Sequence, residues 1–237
     1  MNSKNTIVEC VFDINFESNS VTETFLTVIA GVDGFEELLK LPIHQIPEQI
    51  RKSDPNLKNQ PLYEIHSNSV KGYKILLGDN VIGIAIDKEY TSWTNSFFPQ
   101  IKKLFDVILN SGKIKQINRM GLRYVDFFES DNIFSSGKIK IDIDKKEISN
   151  KRMFLRIEDI VNNIAYHKII TNETEYNSTG SVGSIVDIVT FLDNENFIIN
   201  QMFDKESFFQ KIDSLHTVNK EKFKEVISNE LIEKLGL

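Results

Sequence analysis

The residues best suited to chemistry lie in the stretch Ile117-Asn118-Arg119-Met120-Gly121-Leu122-Arg123-Tyr124-Val125-Asp126-Phe127. Read as a strand, its alternate residues share a face. Ile117, Arg119, Gly121, Arg123 and Val125 then look one way, and Asn118, Met120, Leu122 and Tyr124 the other. The Cα atoms of Arg119 and Arg123 would lie roughly 13 Å apart, and Gly121 between them leaves room for a ligand or another backbone. Two guanidinium forks beside such a gap suit a phosphate or a carboxylate, which each can grip bidentately. The competing reading is structural. Glu9 and Asp13 repeat the four-residue spacing near the start of the chain, and on a neighbouring strand they would neutralise both arginines in a cross-strand ladder.

Asp187 interrupts an otherwise apolar run, Ser184–Leu192. A carboxylate buried there needs a partner, for which Arg123 and Arg156 are the candidates, or else it serves as a catalytic acid or base. His216 follows Asp213 and Leu215 at an expected helix end, with Asn219 as the cap of the next helix. There it would bond terminal carbonyls or transfer a proton. The candidate ligand- or anion-binding set is therefore Arg119, Gly121, Arg123, Tyr124, Asp187 and His216, with Glu9 and Asp13 as structural ion-pair partners. Glu64 and His66 share a strand face, but no third ligand stands at a suitable spacing, so no metal is expected. No Gly-rich phosphate loop, Gly-x-Ser-x-Gly or His-Glu-x-x-His occurs, and no cofactor is expected. Cys10 is the single cysteine and alternates with Val8, Phe12 and Ile14, as a core residue does.

A chain of 237 residues, 41% hydrophobic and 26% charged, makes one large domain or two small ones. Its 17 phenylalanines imply a core of large flat side chains. The net charge of −6 argues against nucleic acid as a partner. No apolar run approaches the ~20 residues of a membrane span, and no secretory leader is evident, so a cytoplasmic location is expected.

The elements that must position these residues follow from periodicity. Residues 7–17 alternate as a half-buried strand. Ser20 and Glu23 suggest a capping box opening a helix to Ala30. Four of the five prolines fall in 40–61, an irregular excursion with a helical turn after Pro47. Strands are expected at Leu62–His66, Tyr73–Leu77 and Val81–Ile86. A helix kinked or delayed by Pro99 should span about 92–110. After the central strand, Glu129–Gly137 reads as the boundary between two parts, 1–130 and 138–237, which are either related halves or one continuous domain. Further strands are expected at Lys138–Ile143, Arg152–Asp159, Ile164–Thr171 and Ser184–Leu192, the last covered on both faces. Asn172–Gly183 reads as an exposed loop or hairpin tip, and two helices, about Lys205–Leu215 and Lys220–Lys234, close the chain. The fold class is α+β, an antiparallel sheet or sheets backed by long amphipathic helices.

The ordered set Val8-Glu9-x-Val11-Phe12, Trp93, Arg119-Met120-Gly121-Leu122-Arg123-Tyr124, Val186-Asp187 and Leu215-His216 resembles a sporadically distributed prokaryotic family of about this length, marked by an Arg-x-Gly-Leu-Arg-Tyr strand. The resemblance spans the whole chain and implies no established activity. The family's patchy occurrence associates it with defence, immunity or toxin–antitoxin modules. The expected function is a non-enzymatic binding or partner-control protein acting through a protein partner or self-association. The alternative is an enzyme or sensor of a phosphorylated small molecule or nucleotide held by Arg119 and Arg123. That alternative requires His216 and the arginines to meet in one pocket.

Overall fold

Strict alternation in β1 (Ile7–Ser18) sends Cys10, Phe12, Ile14 and Phe16 into the core. The computed structural model describes residues 5–149, 151–176, 180–198 and 204–235. β1 lies at the centre of a nine-stranded antiparallel sheet with helices on one face, an α+β fold. In chain order come α1 (Thr22–Ile29), β2 (Phe35–Lys40), α2 (Glu48–Ser53), β3 (Tyr63–Ser67), β4 (Tyr73–Leu77), β5 (Val81–Asp87), α3 (Phe98–Asn110) and β6 (Ile114–Glu129). Then follow α4 (Ile133–Ser136), the two-residue strands β7 (Asp142–Ile143) and β8 (Lys146–Glu147), β9 (Phe154–Val161), β10 (Ile164–Tyr176), β11 (Ser181–Ile198), α5 (Lys205–Lys224) and α6 (Asn229–Leu235). The sheet runs β2-β3-β4-β5-β1-β6-β11-β10-β9, so the two parts expected on either side of 130–137 share one sheet.

Two bulges set which residues reach which face. Between Asn15/Arg119 and Phe16/Ile117 the register slips by one residue on β6. Asn118 is the extra residue, and Ile117 turns to the helical side, where it is fully buried. Strict alternation had placed Ile117 beside Arg119; the bulge reverses it. A second slip between Ile7/Asp126 and Glu9/Val125 turns Ile7 inward as well.

The helical face is packed by rings and branched side chains. Phe25 of α1, Phe105 of α3 and Phe208 of α5 are almost wholly buried over Phe12, Phe16 and Met120. The helices differ from expectation in three places. α1 starts without a side-chain cap, at Val21, so Ser20 and Glu23 form no capping box. Before α3, Trp93–Phe97 form a π-turn capped by Ser92, and Pro99 sits in the first turn of α3, where its missing N–H costs nothing. Finally, α5 runs unbroken through Leu215–Lys220. No glycine or proline stops it, and Asn219 is not a cap. Its side chain is buried and donates to the main-chain oxygens of Ile188, at 2.9 Å, and Leu122, at 3.4 Å.

Elsewhere β2 occupies a stretch given no element in the sequence reading, and the strand expected at 138–143 shrinks to the β7–β8 pair. β10 and β11 extend through most of 172–183, and residues 177–179 of the expected loop or hairpin tip lie outside the described residues. β11 is covered on its helical side, while Ile185, Asp187 and Val189 on the other side stay partly exposed.

Candidate functional site

On the helix-free face, the arginines are already occupied. Arg119 Nη1 donates to Asp13 Oδ1 at 2.9 Å, and its Nε lies 3.6 Å from Asp193. Arg123 grips Asp187 through Nε and Nη2, at 2.9 and 2.8 Å, and reaches Glu9 through Nη1 at 3.3 Å. The bond to Asp187 pushes the Arg123 guanidinium still further towards the charged form. The space above Gly121 is not open to a ligand. A Cβ there would lie 2.8 Å from the Arg119 guanidinium, which folds across the glycine and stands 5.1 Å from the Phe191 ring. Asp187, the charge inside an apolar strand, therefore takes Arg123 as its partner, and Arg156 pairs with Glu158 instead.

Tyr124 and His216 belong to the other face. Because Arg123 and Tyr124 are successive residues of one strand, their side chains diverge to opposite sides. The Tyr124 hydroxyl lies 3.2 Å from His216 Nδ1 and 3.3 Å from the Tyr90 hydroxyl. The His216 ring stacks on Trp93, with centroids 4.2 Å apart and planes within 8°. Trp93 Nε1 in turn donates to Asp213 at 2.8 Å, one turn back along α5. The sheet thus separates the arginines from His216, and the set read from the sequence is two clusters.

This second cluster forms the wall of a cavity of about 640 Å³ between the start of β1, the Tyr90–Thr94 loop, β6 and α5. Asp126 also lines it, two residues beyond Tyr124 and only 4% exposed. One of its oxygens accepts from Thr6 Oγ1 at 2.7 Å. No other hydrogen bond reaches its carboxyl among the described residues. Burial pushes this carboxyl up to about 7, against which the Thr6 bond pulls only partly. Burial also pushes His216 down to about 4, so its ring is neutral at neutral pH. The Tyr90 and Tyr124 hydroxyls are raised by the same cause and stay protonated. Lys220 and Lys224, both exposed on α5, complete one side of the cavity.

Sequence reasoning passed over Asp126, Tyr90, Lys220 and Lys224. Asp126 was legible in principle. It shares the parity of Tyr124 and Leu122, so it is an acid on the apolar side of the central strand. Among the described residues no group of three metal-ligating side chains converges. Glu64 instead bonds His66 and Lys74, at 3.0 and 2.8 Å. No helix among these residues is long and apolar enough to cross a membrane.

Comparison with known proteins finds no matching family model and no matching curated protein. Trp93, Tyr124 and His216, from three separate elements, meet in one place.

Proposed function

We propose that the protein is a non-enzymatic binding protein that takes a small molecule in the cavity beneath Tyr90, Trp93, Tyr124 and His216. Ligand binding would there control a protein partner, as in an accessory or immunity component of a defence-type module. The observation that carries this reading is the cavity itself. Its volume of about 640 Å³ lies in the range of small-molecule sites, and its wall joins aromatic rings to a few convergent polar groups. The arginine pair favours no ligand, since each arginine is already paired with carboxylates.

Trp93 is the only tryptophan of the chain, so its fluorescence reports on the cavity. Titration with a panel of metabolites should change that emission saturably for at least one compound, which should be recovered unaltered. If the whole panel leaves the emission unchanged, the ligand-binding reading fails. A second reading, an enzyme with Asp126 as acid or base, is favoured by one observation, a carboxyl that titrates near neutrality. Conversion of the bound compound, abolished by Asp126→Asn, would select it.

A further inference from the structure

The cavity contains chemistry of two kinds, separated in position. Among the described residues that line it, Asp126 alone carries a carboxyl, nine-tenths or more buried, one oxygen of which accepts from Thr6 Oγ1. Thr6 already occupies the first oxygen, yet each carboxylate oxygen has two lone pairs. The pair of oxygens can therefore still receive two parallel N–H bonds, the fork geometry in which carboxylates are strongest. The open side offers the opposite charge. Lys220 and Lys224 make no ion pair among the described residues, unlike Lys222 on the same helix, which is held by Glu225 at 2.6 Å. The rings of Tyr90, Tyr124 and Phe223 line the same cavity, walls that favour a flat partner.

We propose that the cavity takes a nucleoside monophosphate whose base presents adjacent N–H donors to Asp126, as the guanine edge does, while its phosphate meets Lys220 and Lys224. The proposal rests on the ligand-binding reading above and names the ligand class. A donor edge fits where an acceptor edge would not, because an ionised carboxylate only accepts. A free phosphate would find the lysines but nothing for the buried carboxyl, and a free nucleoside the reverse.

Such binding has a proton signature. Near neutral pH the unliganded Asp126 is partly protonated, and taking two N–H donors requires it to ionise. Among the described residues, the other titratable groups around it are Cys10 and Tyr124 from the sheet, Tyr90 from the loop, and His216, Lys220 and Lys224 from α5. Cys10, Tyr90 and Tyr124 are pushed upward by burial and His216 downward, so none of these four changes charge near pH 7.

The test is calorimetry and Trp93 fluorescence with GMP, AMP, guanosine and inorganic phosphate, in two buffers of different ionisation enthalpy. GMP should bind about tenfold or more tightly than AMP, the discrimination of one good bidentate base contact. Binding should release a fraction of a proton near pH 7 and none near pH 9. Asp126→Asn keeps an acceptor for Thr6 and removes a buried charge, so it should fold; it should lose both the preference and the proton release. The double variant Lys220→Ala, Lys224→Ala should weaken GMP and leave guanosine unchanged. Equal binding of GMP and AMP, proton uptake, or no binding of either overturns the proposal. If Trp93 then responds to a different small molecule, only the ligand class was wrong; if it responds to none, the ligand-binding reading falls with it.

Discussion

Asp126 and His216 line one cavity, where burial disfavours the charged form of each, yet they pull stability in opposite directions with pH. Folding raises Asp126 to about 7 from an ordinary carboxyl value, so its contribution is fully present below about pH 4 and is lost as pH rises through 7. Folding lowers His216 to about 4, so its contribution is present above about pH 6.5 and is lost as pH falls through 4. Between these limits the two slopes offset, each spanning on the order of 3–4 kcal/mol at most. Urea unfolding of the native protein should therefore give nearly level stability from about pH 4.5 to 6.5. In Asp126→Asn the histidine slope is no longer offset by this carboxyl, and stability should fall with falling pH. In His216→Gln it should fall with rising pH. Parallel curves for all three proteins would show that neither group is held as described. On the opposite face, Arg123→Ala strands Asp187 and should cost about 1–3 kcal/mol. A double-mutant cycle should find Arg123 and Asp187 coupled more strongly than Arg119 and Asp13, because only the former pair is bidentate.

At the scale of the element, two glycines of the central strands look alike in sequence and differ in what surrounds them. A Cβ on Gly83 would lie 2.5 Å from the Phe12 main-chain oxygen, which cannot yield without disturbing the β1–β5 ladder. The atoms nearest a Cβ on Gly121 would be the far end of the Arg119 side chain, not main chain. Gly83→Ala should accordingly lower Tm by several degrees, and Gly121→Ala by less than half as much, measured by thermal unfolding. Asn219→Ala would leave the Ile188 oxygen short of its donor inside the core and should cost about 1–2 kcal/mol. These differences mark the limit of what periodicity carries. Alternation placed Cys10, Phe12, Ile14 and Phe16 together, because a half-buried strand leaves that imprint on its residues. It misplaced Ile117, because one inserted residue, Asn118, reverses the phase without any change in composition. Asn219 looked like a cap because asparagine is common there; the sheet carbonyls that actually hold it are 31 and 97 residues away. The clustering of Trp93, Tyr124 and His216 is likewise a tertiary fact, spread over three elements.

On the scale of the molecule, the pairing of β1 with both β5 and β6 and of β6 with β11 ties the whole chain into one sheet. Calorimetric unfolding should show a single transition, and a chain cut after residue 130 should aggregate, since it would bare β6 along the side now paired with β11. Among the described residues the intact sheet still ends in two edge strands, β2 and β9. Hydrophobic side chains stand out on both, Leu38 and Leu39 on the first, Phe154 and Ile160 on the second. They are interspersed with Glu36, Glu37 and Lys40, and with Arg156, Glu158 and Asp159. Charges so placed on an edge strand oppose edge-to-edge pairing. Replacing Arg156, Glu158 and Asp159 together by threonine would raise β-propensity while removing repulsion, and light scattering should then grow with time in a concentrated solution of an otherwise folded protein.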